Sequence, residues 1–307
     1  MKTDIHQLVT DRIIDLIESH KTELKNLWIK KDGSGSLPTN FKTKKYYSGV
    51  NILLLWGACL DNNFTSSHWL TFKQAQEIGG RVKKGSKGTG VVYYNVMKKE
   101  LDSIQSVGEK TEVSIPFLKS FSVFNLDQID GIEVHETVEE RTEFDANKLA
   151  EEILKYSKAD IKEEGNKAFF RRSTDEIYLP SRNSFISPSH FYSTALHELT
   201  HWTGHENRLN RQYGKRFGDN AYAFEELVAE LGAAFLTSEI GVISQTIPDH
   251  AGYIESWLKV LKNDKKAIFT AASQASKAHS FIMNFLPDHK KELNEDIQEG
   301  SEFMVAA

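Results

Sequence analysis

The residues best suited to chemistry lie in one stretch, 187–206, which reads SPSHFYSTALHELTHWTGHE. His197 and His201 stand four apart on a segment with helix signals, so both imidazoles leave one face and converge on a single ion. Glu198, beside the first histidine, is placed to take a proton from a water held on that ion. A catalytic zinc needs three protein ligands at ~2 Å and an open fourth position, and one helical turn supplies two of the three. A second helical pattern, YAFEELVAELGAAFL at 222–236, offers the third. Packed against the first helix, it brings Glu226 in to complete the set, while Glu230, one turn on, accepts a hydrogen bond from the far nitrogen of a ligating histidine. Glu225 faces about 100° away from Glu226 and ranks second as the ligand.

A bare HExxH arises by chance in roughly a few of every hundred shuffled chains of this composition, so its setting matters. Ser187 and Pro188 form a helix start, N-cap followed by proline at the first helical position. Phe191, Thr194, Ala195 and Leu196 give the helix a side to bury, and Gly204 ends it. The expected cofactor is Zn2+, with Mn2+ as another divalent ion that such ligands accept. The expected reaction is metal-assisted peptide hydrolysis on a protein or peptide substrate, with Tyr222 or Tyr192 stabilising the oxyanion.

The elements that position these residues come from a chain of 307 residues with 39% hydrophobic content, five tryptophans and 18 phenylalanines, enough for sizeable cores. The first residues carry charge throughout and no apolar run approaches 18 residues, so neither a signal peptide nor a membrane span is expected. A single cysteine, Cys59 in LLLWGACL, fits a core position and a reducing cytoplasm.

Formal net charge is −5, yet from Asn40 to Lys99 the only acids are Asp61 and Glu77. A basic first half followed by an acidic second half predicts a nucleic-acid module beside a different domain. Rings among lysines stack on unpaired bases while the amines track phosphates, which makes Lys44, Lys45, Tyr46, Trp69 and Lys73 candidate contacts to single-stranded DNA. Arg81, Lys83, Lys84 and Lys87 join them, on a glycine-rich loop whose amides can approach phosphates.

Periodicity predicts one or two amphipathic helices over 4–31, a buried helix in YYSGVNILLLWGACL, and a short helix in WLTFKQAQEIGG ended by Gly79 and Gly80. Two strands follow, in RVKKGSKGTGVVYYNVMKKE and PFLKSFSVFNLDQIDG. The fold class is α+β: an α+β domain with a small sheet over 1–131, a linker over 132–145, a mostly helical domain over 146–287, and a charged tail over 288–307. Within the second domain a helix is expected from Ala146 to Tyr156, a hairpin turning at Ser173–Asp175 with one strand bordering the cleft, and two helices over 252–285.

With these blocks in this order, the chain resembles the ArdC-type antirestriction proteins of plasmids and phages. The resemblance covers most of the chain: YYSGVNILLLW, WLTFKQAQEIGGRVKKGSKGTGVVYY and PFLKSFSVFNLDQIDG in the first half, HELTHWTGHENRLNR and YAFEELVAELGAAFL in the second. It implies an N-terminal single-stranded-DNA-binding domain, a C-terminal zincin-like metallopeptidase domain, and a role in shielding incoming mobile-element DNA from host restriction. It also implies that His197 and His201 match the family's metal histidines, Glu198 its catalytic glutamate, and EELVAE, 225–230, its downstream acidic ligand. The metzincin pattern is excluded, because Asn207 stands where its third histidine belongs. His205 falls past the helix end, at a position suited to an outer or surface role.

Overall fold

The computed structural model describes residues 4–19, 37–102, 110–132, 143–211, 220–242 and 250–287. Trp28 and any helix near it, residues 133–142 of the expected linker, and the tail from 288 lie outside the described residues.

The chain opens with helix α1 (Ile5–Ser19), whose Val9, Ile13, Leu16 and Ile17 recur at helical spacing and are all buried. Helix α2 (Val50–Asn62) is buried from Val50 through Ala58, as its leucine run implies, and stops at Asn63 in the left-handed region. Strands β1 (Thr39–Asn40), β2 (His68–Thr71), β4 (Thr89–Asp102) and β5 (Lys110–Asn125) form one sheet in the order β1-β2-β5-β4. Within it, only the β1–β2 pair is parallel.

The helix expected across WLTFKQAQEIGG is shorter than its pattern suggested. Helix α3 spans only Phe72–Glu77, and the residues before it are strand β2 in the middle of the sheet. The divide is chemical: Thr71 accepts from the Gln74 amide and the Gln74 side chain answers the Thr71 amide, a capping box that fixes the helix start. Strands β3 (Arg81–Val82) and β6 (Ile129–Asp130) pair separately.

The second half begins with helix α4 (Glu143–Ser157) and a three-stranded sheet of β7 (Asp160–Glu163), β8 (Phe169–Arg171) and β9 (Glu176–Leu179), ordered β7-β9-β8. The hairpin between β8 and β9 turns through Asp175 at φ 58°. Strand β7 has no apolar alternation, and pairing with β9 alone makes it a strand. Helices α5 (Pro188–Thr203), α6 (Asn220–Ile240), α7 (His250–Asn263) and α8 (Ala267–Met283) complete the fold.

One core joins α4, β9, α5 and the end of α8 through Ile153, Leu179, Leu196 and Leu199. Another joins α1 and α2 to α6, α7 and α8, with Trp56 and Phe235 at ring centroids 5.8 Å apart. The Thr10 hydroxyl donates to Lys265 O at 2.7 Å and the Gly49 amide to Ser276 Oγ at 2.8 Å. Helices on both sides of the expected linker therefore share one apolar core, and α6 belongs to it. No helix among the described residues is long and apolar enough to cross a membrane.

Candidate metal centre

Helix α5 starts as its sequence dictates: the Ser187 side chain accepts from the His190 amide at 3.2 Å, and Pro188 occupies the first turn, where no donor is needed. Its burial is nearly complete, and His197, Glu198 and His201 are each under 9% exposed. The four-residue spacing sets the two imidazoles edge to face, centroids 4.8 Å apart.

Helix α6 approaches this face closely because it carries Gly232. A Cβ there would lie 2.5 Å from Thr200 Cγ2, inside contact distance, so glycine lets α6 settle against the turn that bears His201. Glu226 then points between the histidines: Oε2 is 3.6 Å from His197 Nε2 and Oε1 is 3.5 Å from His201 Nε2. One donor atom from each of His197, His201 and Glu226 lies within 4.8 Å of the others, and all three residues are buried. Tetrahedral donors at ~2 Å from one ion stand about 3.3 Å apart, so these residues fit a divalent cation with little movement. The donor set, two imidazoles and a carboxylate, is that of an open zinc-type site.

Glu225 takes a different place from the one considered for it. Its Oε1 lies 3.2 Å from His201 Nδ1, on the far side of the ring from Glu226. Glu230 sits 3.5 Å from His197 Nδ1, near enough to act electrostatically. That nitrogen nonetheless has no hydrogen-bond partner among the described residues, so the bond expected from Glu230 is not formed. The outer contact made by hydrogen bonding is at the other histidine and from the other glutamate.

The electrostatics follow from this crowding of acids around two rings. Burial pulls the His201 pKa down, but Glu225 and Glu226 overcome it and push it up to about 10. Against the same cost of burial, His197 is raised by Glu226 and Glu230. Glu226 and Glu225 are held below the ordinary carboxylate range despite burial, by both histidines in the first case and by His201 and Arg211 in the second. Glu198 goes the other way: burial raises it, with opposition from His197 and His201 and from a hydrogen bond to the Phe170 backbone. The last contact brings edge strand β8 against Glu198, so the hairpin does border the site.

Two arginines that sequence reasoning left aside frame the centre. Arg208 donates to both Asp175 carboxylate oxygens, one at 2.9 Å, donates to Trp202 O at 2.6 Å, and lies 3.8 Å over the Trp202 ring. Arg211 grips Glu225 and the last turn of α5. Their signal was present in ENRLNR, cations just beyond a helix C-terminus where carbonyls lack partners. His205 is buried in the turn after α5, its Nδ1 accepting from the Asn207 amide at 3.3 Å, and lies outside the three-residue cluster. Tyr192 is engaged with Glu151 and Arg182. Tyr222 stands one turn before Glu226 on the same face of α6.

The candidate nucleic-acid contacts divide by exposure. Trp69 is fully buried against Phe64 in a core with Leu55 and Val91, so its ring is not available to bases. It faces inward because β2 is a central strand rather than a helix turn. Tyr46 is 49% exposed and Phe72 is 51% exposed. Lys44 lies over the Phe41 ring and Lys73 pairs with Glu77 at 3.7 Å, while Lys45 is half-buried. Lys83 donates to Asp127 O, and Arg81, Lys84 and Lys87 are exposed.

Fold and site together define a two-part protein, an α+β N-terminal domain followed by a zincin-like metallopeptidase-type domain. The family described as a zincin-like metallopeptidase matches residues 148–274, and the N-terminal domain of anti-restriction factor ArdC matches residues 3–124. The crystal structure of antirestriction ArdC protein from the R388 plasmid aligns in its metal-free form at TM-score 0.77 and 35% identity, covering 92% of this chain and 98% of that one. The Mn(II)-bound form of the same protein aligns at TM-score 0.74 and 33% identity, with the same coverage. An uncharacterized protein y4eC of Sinorhizobium fredii (strain NBRC 101917 / NGR234) is 34% identical over 275 residues, 89% of each chain. Two Escherichia coli proteins named DNA primase TraC are 36% and 35% identical, and the chain spans 20% and 27% of their lengths. The chain belongs to the family of ArdC-type antirestriction proteins.

Proposed function

We propose that the chain is a Zn2+- or Mn2+-dependent peptidase joined to a single-stranded-DNA-binding half, protecting incoming mobile-element DNA from restriction. The observation that carries the peptidase reading is the convergence of His197, His201 and Glu226 beside a buried Glu198 whose pKa is raised. When bound, a divalent ion there polarises a peptide carbonyl and lowers the pKa of water toward neutral. Glu198, held as a proton acceptor by its surroundings, takes the proton of the attacking water and returns it to the leaving amine. Strand β8 lies at one edge of its sheet and pairs with an extended substrate through backbone hydrogen bonds. Tyr222, on the face of α6 that carries Glu226, stabilises the oxyanion, a role closed to Tyr192 by its engagement with Glu151.

The nucleic-acid part rests on the match to the ArdC N-terminal domain and on the exposed Lys84, Lys87 and Tyr46. A second reading has its own support: the depth at which all three metal-binding side chains lie also suits a structural ion, in a protein that merely coats a strand. One variant separates the two. Glu198→Gln keeps Mn2+ or Zn2+ and loses cleavage of an unfolded protein by roughly a hundred-fold or more. Persistent hydrolysis in that variant refutes the mechanism, and a parent that cleaves nothing, with protection of DNA undiminished in the variant, supports the second reading.

A further inference from the structure

Arg211 is buried as deeply as the metal-binding residues, yet no step of hydrolysis uses it. Its guanidinium holds Glu225 with a fork, Nη2 to Oε1 at 2.7 Å and Nε to Oε2 at 3.0 Å. The rest of the same group reaches α5, with Nη1 on Thr203 Oγ1 at 2.7 Å and Nη2 on Thr200 O at 2.6 Å. Thr200 and Thr203 stand on either side of His201 in the final turn of that helix, where the Thr200 carbonyl also accepts from the Thr203 hydroxyl at 2.6 Å. Glu225, in turn, places Oε1 at 3.2 Å from His201 Nδ1.

We propose that Arg211 is a positioning residue that sets the metal affinity of the centre. The inference rests on the metal-site reading given above. One planar cation ties the end of α5 to the second turn of α6, where Glu225 is the carboxylate behind His201. Holding the Glu225 carboxylate behind the ring makes it the acceptor for the Nδ1 proton, which fixes the orientation of His201 and leaves Nε2 facing the space beside Glu226 where an ion fits. A glutamate without the fork has a neighbouring buried acid in Glu226 and no fixed direction. Lysine offers a point charge that cannot grip both carboxylate oxygens and the helix end at once.

The test is titration of the full-length protein with Mn2+ alone, free ion followed by its paramagnetic resonance signal, in the parent, Arg211→Met, Arg211→Lys, Glu225→Gln and the Arg211→Met/Glu225→Gln double variant. Circular dichroism and melting of the metal-free proteins run alongside. Arg211→Met is expected to weaken Mn2+ binding roughly ten- to hundred-fold, the size typical for partners behind a metal ligand, with Arg211→Lys between it and the parent. In the Glu225→Gln background, replacing Arg211 is expected to change the affinity far less than in the parent. Folded Arg211→Met with parental affinity overturns the proposal, and so do independent, multiplicative effects of the two substitutions. Should Arg211→Met fail to fold, Arg211→Lys and Glu225→Gln decide, and parental affinity in both overturns it. A parent that binds no Mn2+, or binds it equally after Glu226→Ala, fails the metal-site reading instead.

Discussion

Glu225 and Glu226 are adjacent in the chain yet stand on opposite sides of His201, Oε1 of Glu225 at 3.2 Å from Nδ1 and Oε1 of Glu226 at 3.5 Å from Nε2. The 100° step between neighbours on a helix lets consecutive acids embrace one ring only because α6 meets α5 at close range. One glutamate faces the space where an ion fits, and the other holds the ring from behind.

Acids at this centre therefore differ in consequence. Glu226→Gln is expected to reduce Mn2+ affinity by at least about a hundred-fold, more than outer partners usually contribute. Glu230→Gln, which removes a carboxylate 3.5 Å from His197 Nδ1, is expected to cost less than about ten-fold. Calorimetric titration of both variants checks the ranking, and equal losses contradict it.

Gly232 controls the approach of the two helices. Gly232→Ala places a methyl group 2.5 Å from Thr200 Cγ2 and is expected to destabilise the fold by about 1–3 kcal/mol. Adding Thr200→Ser, which deletes that methyl and keeps the hydroxyl bonded to Leu196 O, recovers much of the loss. Thermal melting of the three variants reads the effect, and an unshifted Gly232→Ala melt speaks against this helix contact.

Acid should loosen the hairpin that borders the site. Arg208 holds the Asp175 carboxyl below its ordinary range, so the ion pair contributes fully above the unfolded aspartate pKa, ~3.9, and is lost as pH falls through the lower folded value. The melting difference between parent and Asp175→Asn is thus expected to be largest near neutral pH and to close below about pH 4. A gap that widens on acidification has the wrong sign for this pairing.

Single-stranded DNA binding is expected to fall when Lys84 and Lys87 become glutamate, with the salt slope shrinking by about 0.7 for each phosphate that is no longer neutralised. Tyr46→Ala removes an exposed ring and is expected to cost roughly 1–3 kcal/mol of binding if a base stacks there. Trp69→Phe acts on the core and leaves DNA affinity at the parental value in the folded protein. Oligonucleotide titrations at several salt concentrations distinguish the three, and a binding loss confined to the Trp69 variant reverses the assignment.

Much of this was written in local sequence. The start of α5, its end near Gly204, the i, i+4 histidines and the long α6 pattern depend on capping, proline, glycine and periodicity, forces that act within a few residues. The chain by itself therefore supplied two facing imidazoles and acids spaced to meet them. Tertiary structure decided which acid does what: Glu225, Glu226 and Glu230 have similar local credentials, and only the depth and rotation of α6 against Thr200 turn Glu226 between the histidines. Strand β2, too short to show a period, became central by pairing with β1 and β5, and that burial took Trp69 away from the surface. Arg211 lies fourteen residues before its partner Glu225, and a bond across that gap exists only once two helices have packed.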